Sequence, residues 1–320
     1  MIKPEQPSVS DGFDLLAKNT ELSLGEYTSI TQNQADIELY LRQHLDTFST
    51  VIFGAFSRKT IVSPLSGSIV DMLVLFRTVD VKHRHPSRVF SKLSENLIQQ
   101  YPGAYVLKGR NVLMLPVQNF LFKIQPAYPV SEHSYMLPAE HFDDWMKYDI
   151  TSYNETFTKE NVRHKGKLLA IIRMLKTWNR VSGDIFNGYY LELLVTSVLS
   201  SYEISSYAET LCHVFKAGLS EVVFQKHDPA NTEIQVEGLN DIDDLINAMI
   251  LLNKSYKLAK EAVILEQSAK TEAALAIWNQ LFPGVFPTRL DLIVGKTRSA
   301  GIKGADALRL MLDHKIGGNQ

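Results

Sequence analysis

Residues 52–76 read IFGAFSRKTIVSPLSGSIVDMLVLF, and the parsing of this stretch decides the fold. Its apolar lead, Ile52 and Phe53, runs into a turn at Gly54, where the absence of a side chain lets another group approach the backbone closely. Ser63-Pro64 and Ser66-Gly67-Ser68 supply turn chemistry in the middle. Val70 to Phe76 is then a nearly continuous apolar run carrying one acid, Asp71, as expected of a strand buried on both faces.

On the N-terminal side, residues 1–10 hold two prolines and little apolar content, as in a loose lead-in. Phe13, Leu15 and Leu16, and then Ile37, Leu39, Leu41 and Leu45, mark helical segments, the second expected near Gln32 to Phe48 and leading into the opening stretch. On the C-terminal side, Pro86 opens a helix with Val89, Leu93, Leu97 and Ile98 at three- and four-residue spacing, stopping before Tyr101-Pro102-Gly103. Strands are expected over Asn111 to Val117 and Phe120 to Ile124, with Pro126 and Pro129 stopping the ladder. Beyond Trp145 the composition turns helical. The strongest helix is expected over Thr158 to Arg180, with Val162, Leu168, Leu169, Ile171, Ile172, Leu175 and Trp178 toward a core. Further helices are expected at Tyr189 to Tyr202, Tyr207 to Phe215, Asp241 to Leu252 and Leu258 to Leu281. No internal repeat interrupts this order, which gives an α/β (α+β) chain: a sheet lobe with N-terminal helices over 1–155 and a helical lobe over 156–320.

With 320 residues, 45% of them hydrophobic, the chain can bury a substantial core. A net charge of −2 exerts no global pull toward nucleic acid or anionic lipid, so a polyanion site must be a local cleft. Cys212 is the only cysteine, which excludes an intramolecular disulfide and a zinc site of several thiolates. The first twenty residues lack the apolar core of a signal peptide, and no run approaches the ~20 apolar residues of a membrane span, so a cytoplasmic protein without membrane contact is expected.

The stretch 52–76 resembles the signature of DNA-polymerase-β-like nucleotidyltransferases, and most closely the cGAS/DncV-like group, the CD-NTases, whose pattern reads roughly GS(F/Y)xRxT…PL…DxDxLVxL. Other landmarks follow in the family's order. FKIQPAYP (122–129) is similar to its (V/F)D(V/I)VPAF strand and SYMLPAEHFDDW (134–145) to its YxIP…W segment. LAIIRMLKTWN (169–179) resembles LIRLIKxWN, GYYLELL (188–194) resembles SYxLExL, and EAALAIWNQLFPGVFP (272–287) resembles AxxxWxxLFGxxFP. The resemblance implies a polymerase-β-like sheet lobe packed against a helical lobe across a cleft. It also implies bacterial antiphage signalling, in which active members make cyclic or short linear oligonucleotides that switch on an effector.

The chemistry so implied joins a hydroxyl to the α-phosphate of a nucleoside triphosphate with two magnesium ions, held by an Asp-x-Asp pair and a third acid on a neighbouring strand. Magnesium requires oxygen ligands in octahedral array. Here the second acid is Asp71, the first falls on Ile69 and the third on Lys123; three negative charges are replaced by an acid and a base that cancel. No shift of the alignment restores them, because no Asp or Glu lies between Ser57 and Val70 or between Gly103 and Ser131. In the phosphate-cradling turn Gly54 is kept, the family serine falls on Ala55 and the small residue before the threonine on Lys59, while a further serine falls on Gly188.

The residues then carry two readings each. Asp71 is either a surviving magnesium ligand or the ion-pair partner of Lys123. Lys123 either meets a phosphate, with Arg58, Lys59 and Lys176, in a nucleotide site that needs no metal, or fills the space of a lost ion. Tyr189, at the family's base-stacking aromatic, is a stacking platform or an ordinary half-buried tyrosine. Lys82, His83, Arg84, His85 and Arg88 form a basic turn without acids or cysteines in sequence to complete a metal site. Cys212 reads as core. The expectation is a degenerate nucleotidyltransferase without a cofactor. It would act on a nucleotide or oligonucleotide ligand or through a protein partner in a defence system. The alternatives are an active, magnesium-dependent synthase and a pure interaction module.

Overall fold

The computed structural model describes residues 7–108, 110–132, 134–139 and 143–299. Its first half runs α1 (Val9–Asn19), α2 (Leu24–His44), β1 (Thr47–Phe53), β2 (Ile69–Phe76), α3 (Thr78–Val81), α4 (Pro86–Gln100), β3 (Tyr105–Val106), β4 (Leu113–Val117), β5 (Phe120–Pro129), β6 (Ser134–Pro138) and β7 (Trp145–Asp149). The second half runs α5 (Ile150–Arg163), α6 (Lys167–Val181), α7 (Gly188–Leu199), α8 (Tyr207–Glu221), β8 (Lys226–Asp228), β9 (Asn231–Val236), α9 (Ile242–Gln267), α10 (Thr271–Leu281) and α11 (Arg289–Ser299).

These elements form two compact units. The sheet unit comprises residues 20–173 and 225–238; the helical unit comprises 7–19, 174–224 and 239–299 of the described chain. The division falls inside α6, where sequence reading places a boundary near 155, and the hairpin β8–β9 belongs to the sheet unit although helices flank it in sequence.

In the sheet unit, a mixed sheet runs β1-β2-β5-β4-β3, with β6 on β5 and β7 on β6. β2 and β5 are parallel, in the register Asp71 to Lys123, and β1 pairs antiparallel with β2, setting Phe53 beside Asp71. Because side chains alternate along a strand, Val70, Met72, Val74 and Phe76 turn to one face, where they join Ile30, Ile37 and Leu41 of α2 and Val89, Phe90, Leu93 and Leu97 of α4 in the larger core. Ile69, Asp71, Leu73 and Leu75 turn to the other. There Leu73 and Leu75 meet Ala127 and Leu137, leaving Asp71 toward the strand's start.

α2 begins earlier than its apolar spacing suggests because Ser23 and Glu26 form a capping box: Glu26 N–H donates to Ser23 Oγ at 3.2 Å and Ser23 N–H donates to Glu26 Oε2 at 2.8 Å. Glu26 also accepts from Leu65 N–H at 2.9 Å and from Ser63 Oγ at 2.9 Å, tying the helix start to the loop before β2. Burial by itself would raise this carboxyl, but the hydrogen bonds from Ser23, Ser63 and Leu65 prevail and hold it below its ordinary range. The helix ends at His44, so Phe48 lies in β1.

Three other expectations are corrected. β5 does not stop at Ile124 but continues through Pro126 to Pro129: β4 pairs with it only as far as Ile124, so on that flank a residue lacking an N–H takes nothing from a ladder. The segment Thr158 to Arg180 is two helices. Lys165 (φ 54°) and Gly166 (φ 82°) adopt the left-handed region, with Gly166 N–H donating to Asn161 carbonyl at 2.8 Å to close α5, and Val162 is exposed rather than in the core. α9 runs unbroken through 253–257, because Asn253 and Lys254 face solvent while the one polar residue turned inward, Ser255, accepts a hydrogen bond from Trp178 Nε1 at 3.0 Å. The break comes at Ser268–Lys270 instead.

The helical unit has an aromatic core in which Phe13 meets Trp278 and Phe286 edge to face, at centroid distances of 4.7 and 5.2 Å. Gly12 is required there, since a Cβ would stand 2.8 Å from the Phe286 ring. The closing landmark AxxxWxxLF…FP is therefore packing rather than chemistry. Among the described residues, no helix is long and apolar enough to cross a membrane.

Candidate functional site

On the open part of the sheet face, Asp71 lies in a row across four strands: Phe53 of β1, Asp71 of β2, Lys123 of β5 and Met114 of β4. Lys123 Nζ stands 3.6 Å from Asp71 Oδ1, with side-chain exposures of 36% and 24%. The pairing follows from register alone, because directly opposed residues on parallel neighbours project to the same face. Two residues earlier on β2, and therefore on the same face, Ile69 is 46% exposed. An exposed isoleucine at the start of a strand whose later residues are buried has no packing rationale.

The turn after β1 is shaped around this acid. Gly54 has φ +68°, and a Cβ there would lie 2.5 Å from Asp71 Oδ2. Both facts demand glycine: the backbone angle and the carboxylate pressed against the turn. The turn closes on itself, with Arg58 N–H donating to Gly54 carbonyl at 3.1 Å and Thr60 and Ile61 N–H groups donating to Ala55 carbonyl at 2.8 and 3.1 Å. Arg58 lies over the Tyr153 ring at 4.9 Å. Lys59 is exposed at φ 59°, and its carbonyl accepts from Arg173 Nη1 at 3.0 Å, while Arg173 Nη2 donates to Glu21 at 2.7 Å. Arg173, the arginine of the LIRLIKxWN-like landmark, thus fixes the end of the turn, a positioning role that sequence spacing does not reveal.

Beside this row, Tyr148 packs edge to face on Phe53 at 6.3 Å and donates from its hydroxyl to Asp228 Oδ2 at 2.6 Å. Burial first, and then the charge and hydrogen bond of Asp228, push the phenol far up, so it stays a hydrogen-bond donor. Asp228 belongs to the β8–β9 hairpin, which carried no sequence signal for the sheet unit. The hairpin is stitched to β7 by Asn231 Nδ2 donating to Lys147 carbonyl at 3.0 Å and Asp149 N–H donating to Ala230 carbonyl at 3.2 Å.

The remaining candidates, Lys176 and Tyr189, belong to the helical unit. Lys176 Nζ donates to Glu192 Oε1 at 2.5 Å; their side chains are 12% and 0% exposed. Gly188 lies close by, since a Cβ on it would come within 3.7 Å of Lys176 Cε. The Trp-Asn of this landmark explains the placement. Trp178 fills the core, and Asn179 holds the following loop by donating to Asp184 Oδ1 and Phe186 carbonyl, each at 2.8 Å. That loop delivers Asn187, which caps α7 by accepting from Tyr189 N–H at 2.8 Å and so sets Tyr189 and Glu192. Tyr189 is half-buried.

The basic turn is structural: Asp143 accepts from Ser87 N–H and Oγ at 2.9 and 2.7 Å at the start of α4, with His85 3.6 Å away. Cys212 is half-buried on α8, and burial pushes its thiol up.

Residues 8–161 match the model of the Second Messenger Oligonucleotide or Dinucleotide Synthetase domain. The match takes in β1 to β7 and with them the Asp71–Lys123 pair. It is 21% identical to a probable cyclic nucleotide synthase of Bacillus cereus (strain VD146), over 89% of this chain and 99% of the relative. Its fold is shared by E. coli MS115-1 CdnC, solved with ATP (TM-score 0.68, 14% identity, covering 89% of this chain and 100% of that one). It is shared too by Vibrio cholerae DncV, a cyclic AMP-GMP synthase solved with a linear intermediate (TM-score 0.61, 14% identity, 88% and 87% covered). The mixed sheet and helical region match these polymerase-β-like structures, as the resemblance implies.

The fold family implies magnesium at this site, and the residues present do not fit it. Of the three positions where the resemblance places acids, Ile69 is a hydrocarbon, Asp71 a carboxylate already facing an ammonium, and Lys123 that ammonium. Among the described residues no three His, Cys, Asp or Glu side chains are grouped to hold a metal ion.

Proposed function

We propose that this protein has given up two-metal nucleotidyl transfer and works in bacterial antiphage signalling by binding, with the sheet site holding the phosphates of a nucleotide or oligonucleotide without magnesium. The observation that carries the reading is the Asp71–Lys123 pair at 3.6 Å, partly open to solvent on the face where the resemblance places the family's carboxylates. An ammonium is a point charge with donors to spare, so Lys123 can turn from Asp71 to a phosphate oxygen at little cost. The glycine turn remains able to admit a close approach, and Lys59 is exposed at its end.

A second reading, regulation of a partner protein, takes its support from the resemblance to CdnC, which is also solved in complex with HORMA-deltaN (TM-score 0.67, 13% identity, covering 87% of this chain and 98% of that one). The third, an active synthase such as the Bacillus cereus relative's name describes, would need acids at the positions that Ile69 and Lys123 occupy.

Incubation with labelled ATP, GTP, CTP and UTP in magnesium or manganese should yield no product; a robust oligonucleotide product would overturn the proposal. Calorimetry with triphosphates and cyclic dinucleotides should then give binding that survives EDTA and disappears in Lys123→Ala. Binding to no nucleotide would leave the partner reading in its place.

A further inference from the structure

One face of α9 is out of keeping with the rest of the surface. The helix buries Ala248, Leu252, Ser255, Ala259 and Ala262, packing on α8 and α10. On another face Ile242, Ile246 and Ile250 are each more than half exposed, with Met249 beside them. Positions 242, 246, 249 and 250 follow helical spacing, so they form one stripe rather than scattered residues. Isoleucine is not chosen there for helix propensity, in which it ranks below lysine and glutamate, and it gains nothing from folding while exposed. Such a contiguous stripe marks an interaction surface.

The charges along this stripe identify the occupant. Asp243 stands next to Ile242 at the N-terminal end of the apolar block and Lys254 follows its other end, both exposed and neither in an ion pair among the described residues. They are eleven residues apart, about three turns, and therefore lie along the same edge of the stripe. A surface that is acidic at one end, apolar in the middle and basic at the other complements itself when turned end for end. A two-fold axis level with Ala248 sets Ile246 opposite Ile250 of a second copy and Asp243 opposite its Lys254, and the same contacts recur by symmetry. We infer that this protein self-associates as an antiparallel dimer through the Ile242–Ile246–Ile250 face of α9, with Asp243 and Lys254 fixing the register.

Two helices meeting over this one block make a small interface, below the ~1,200 Å² of standard ones, so the dimer is a weak one that forms at micromolar concentration. Its charges determine pairing more than strength. Neither the candidate nucleotide site nor the proposed binding function is needed for it.

Sedimentation velocity from low to high micromolar protein tests this. The mass should rise from 36.2 kDa toward twice that value, and Ile246→Lys should hold the protein at the monomer mass. Asp243→Lys and Lys254→Asp should each weaken self-association at least severalfold. Mixed together, the two variants should form a heterodimer, because each then offers the charge the other lacks at both ends. Circular dichroism melting of every variant separates a lost interface from a lost fold, since these residues are exposed and the melts should nearly coincide. A native protein that remains monomeric throughout would overturn the inference. So would a dimer unaffected by Ile246→Lys, or single variants that do not recover on mixing.

Discussion

Two of the lysine–carboxylate pairs among the described residues, Lys176–Glu192 and Lys123–Asp71, fall on segments that resemble landmarks of one family and are physically unlike. Lys176 and Glu192 are buried in the helical unit at 2.5 Å, whereas Lys123 and Asp71 are a longer pair, 3.6 Å apart, on a face of the sheet unit that stays partly wet. A buried pair is held by the cost of leaving either charge alone, and neither partner can change without the other. A half-exposed pair is cheap to open, since water screens the charge left behind. The first arrangement reads as architecture; the second is available for a ligand.

Breaking the buried pair should have the largest effect. Glu192→Ala leaves the Lys176 ammonium largely buried beside a cavity and should cost about 3–5 kcal/mol in urea unfolding. A loss under about 1 kcal/mol would put Lys176 in the same class as Lys123. The next effect sharpens the contrast from the other side. Ile69→Asp combined with Lys123→Asp rebuilds the family's three carboxylates, which should repel one another in EDTA and recover stability as magnesium is added. At a hundredfold excess over the dissociation constant that recovery is about 2.7 kcal/mol. No response of the melting temperature to magnesium would show that three carboxylates at these positions are not enough to hold the ion, with Ala55→Ser the next change to add. The smallest effect is expected for Lys123→Ala, about 0–1 kcal/mol by the same unfolding measurement. A loss as large as that of Glu192→Ala would make the sheet pair architectural as well and weaken the case for a ligand there.

The asymmetry of these pairs was half readable from the chain. Asp71 and Lys123 could be placed on neighbouring strands because each sits in a short apolar run with its own family landmark, and strand register then leaves little freedom. Lys176 could be located but not its partner: Glu192 lies on the next helix, and nothing in helical spacing tells which face of one helix meets which face of another. The same limit hid Arg173 on the Lys59 carbonyl and Asp228 under Tyr148. It also concealed the β8–β9 hairpin, whose strands, KHD and NTEIQV, carry too few apolar residues to announce themselves beside the long helices on either side. Breaks in helices were misjudged for a different reason. Asn253 to Ser255 look like a stop but face water or accept a buried hydrogen bond, whereas the real stops, at Lys165-Gly166 and Ser268 to Lys270, depend on left-handed backbone angles at Lys165, Gly166 and Ala269.

By itself the sequence determined that a mixed sheet would form, and that Ile69, Asp71 and Lys123 would stand where the resemblance places three acids. Both are matters of residue identity within short, strongly patterned segments. Tertiary structure alone decided that Lys123 faces Asp71 at 3.6 Å, that Gly54 is pinned by that same carboxylate, that Lys176 is committed to Glu192, and that the isoleucines of α9 are left uncovered. Those outcomes turn on which surfaces meet, and contact between residues distant in sequence is set by the packing of whole elements rather than by any local pattern.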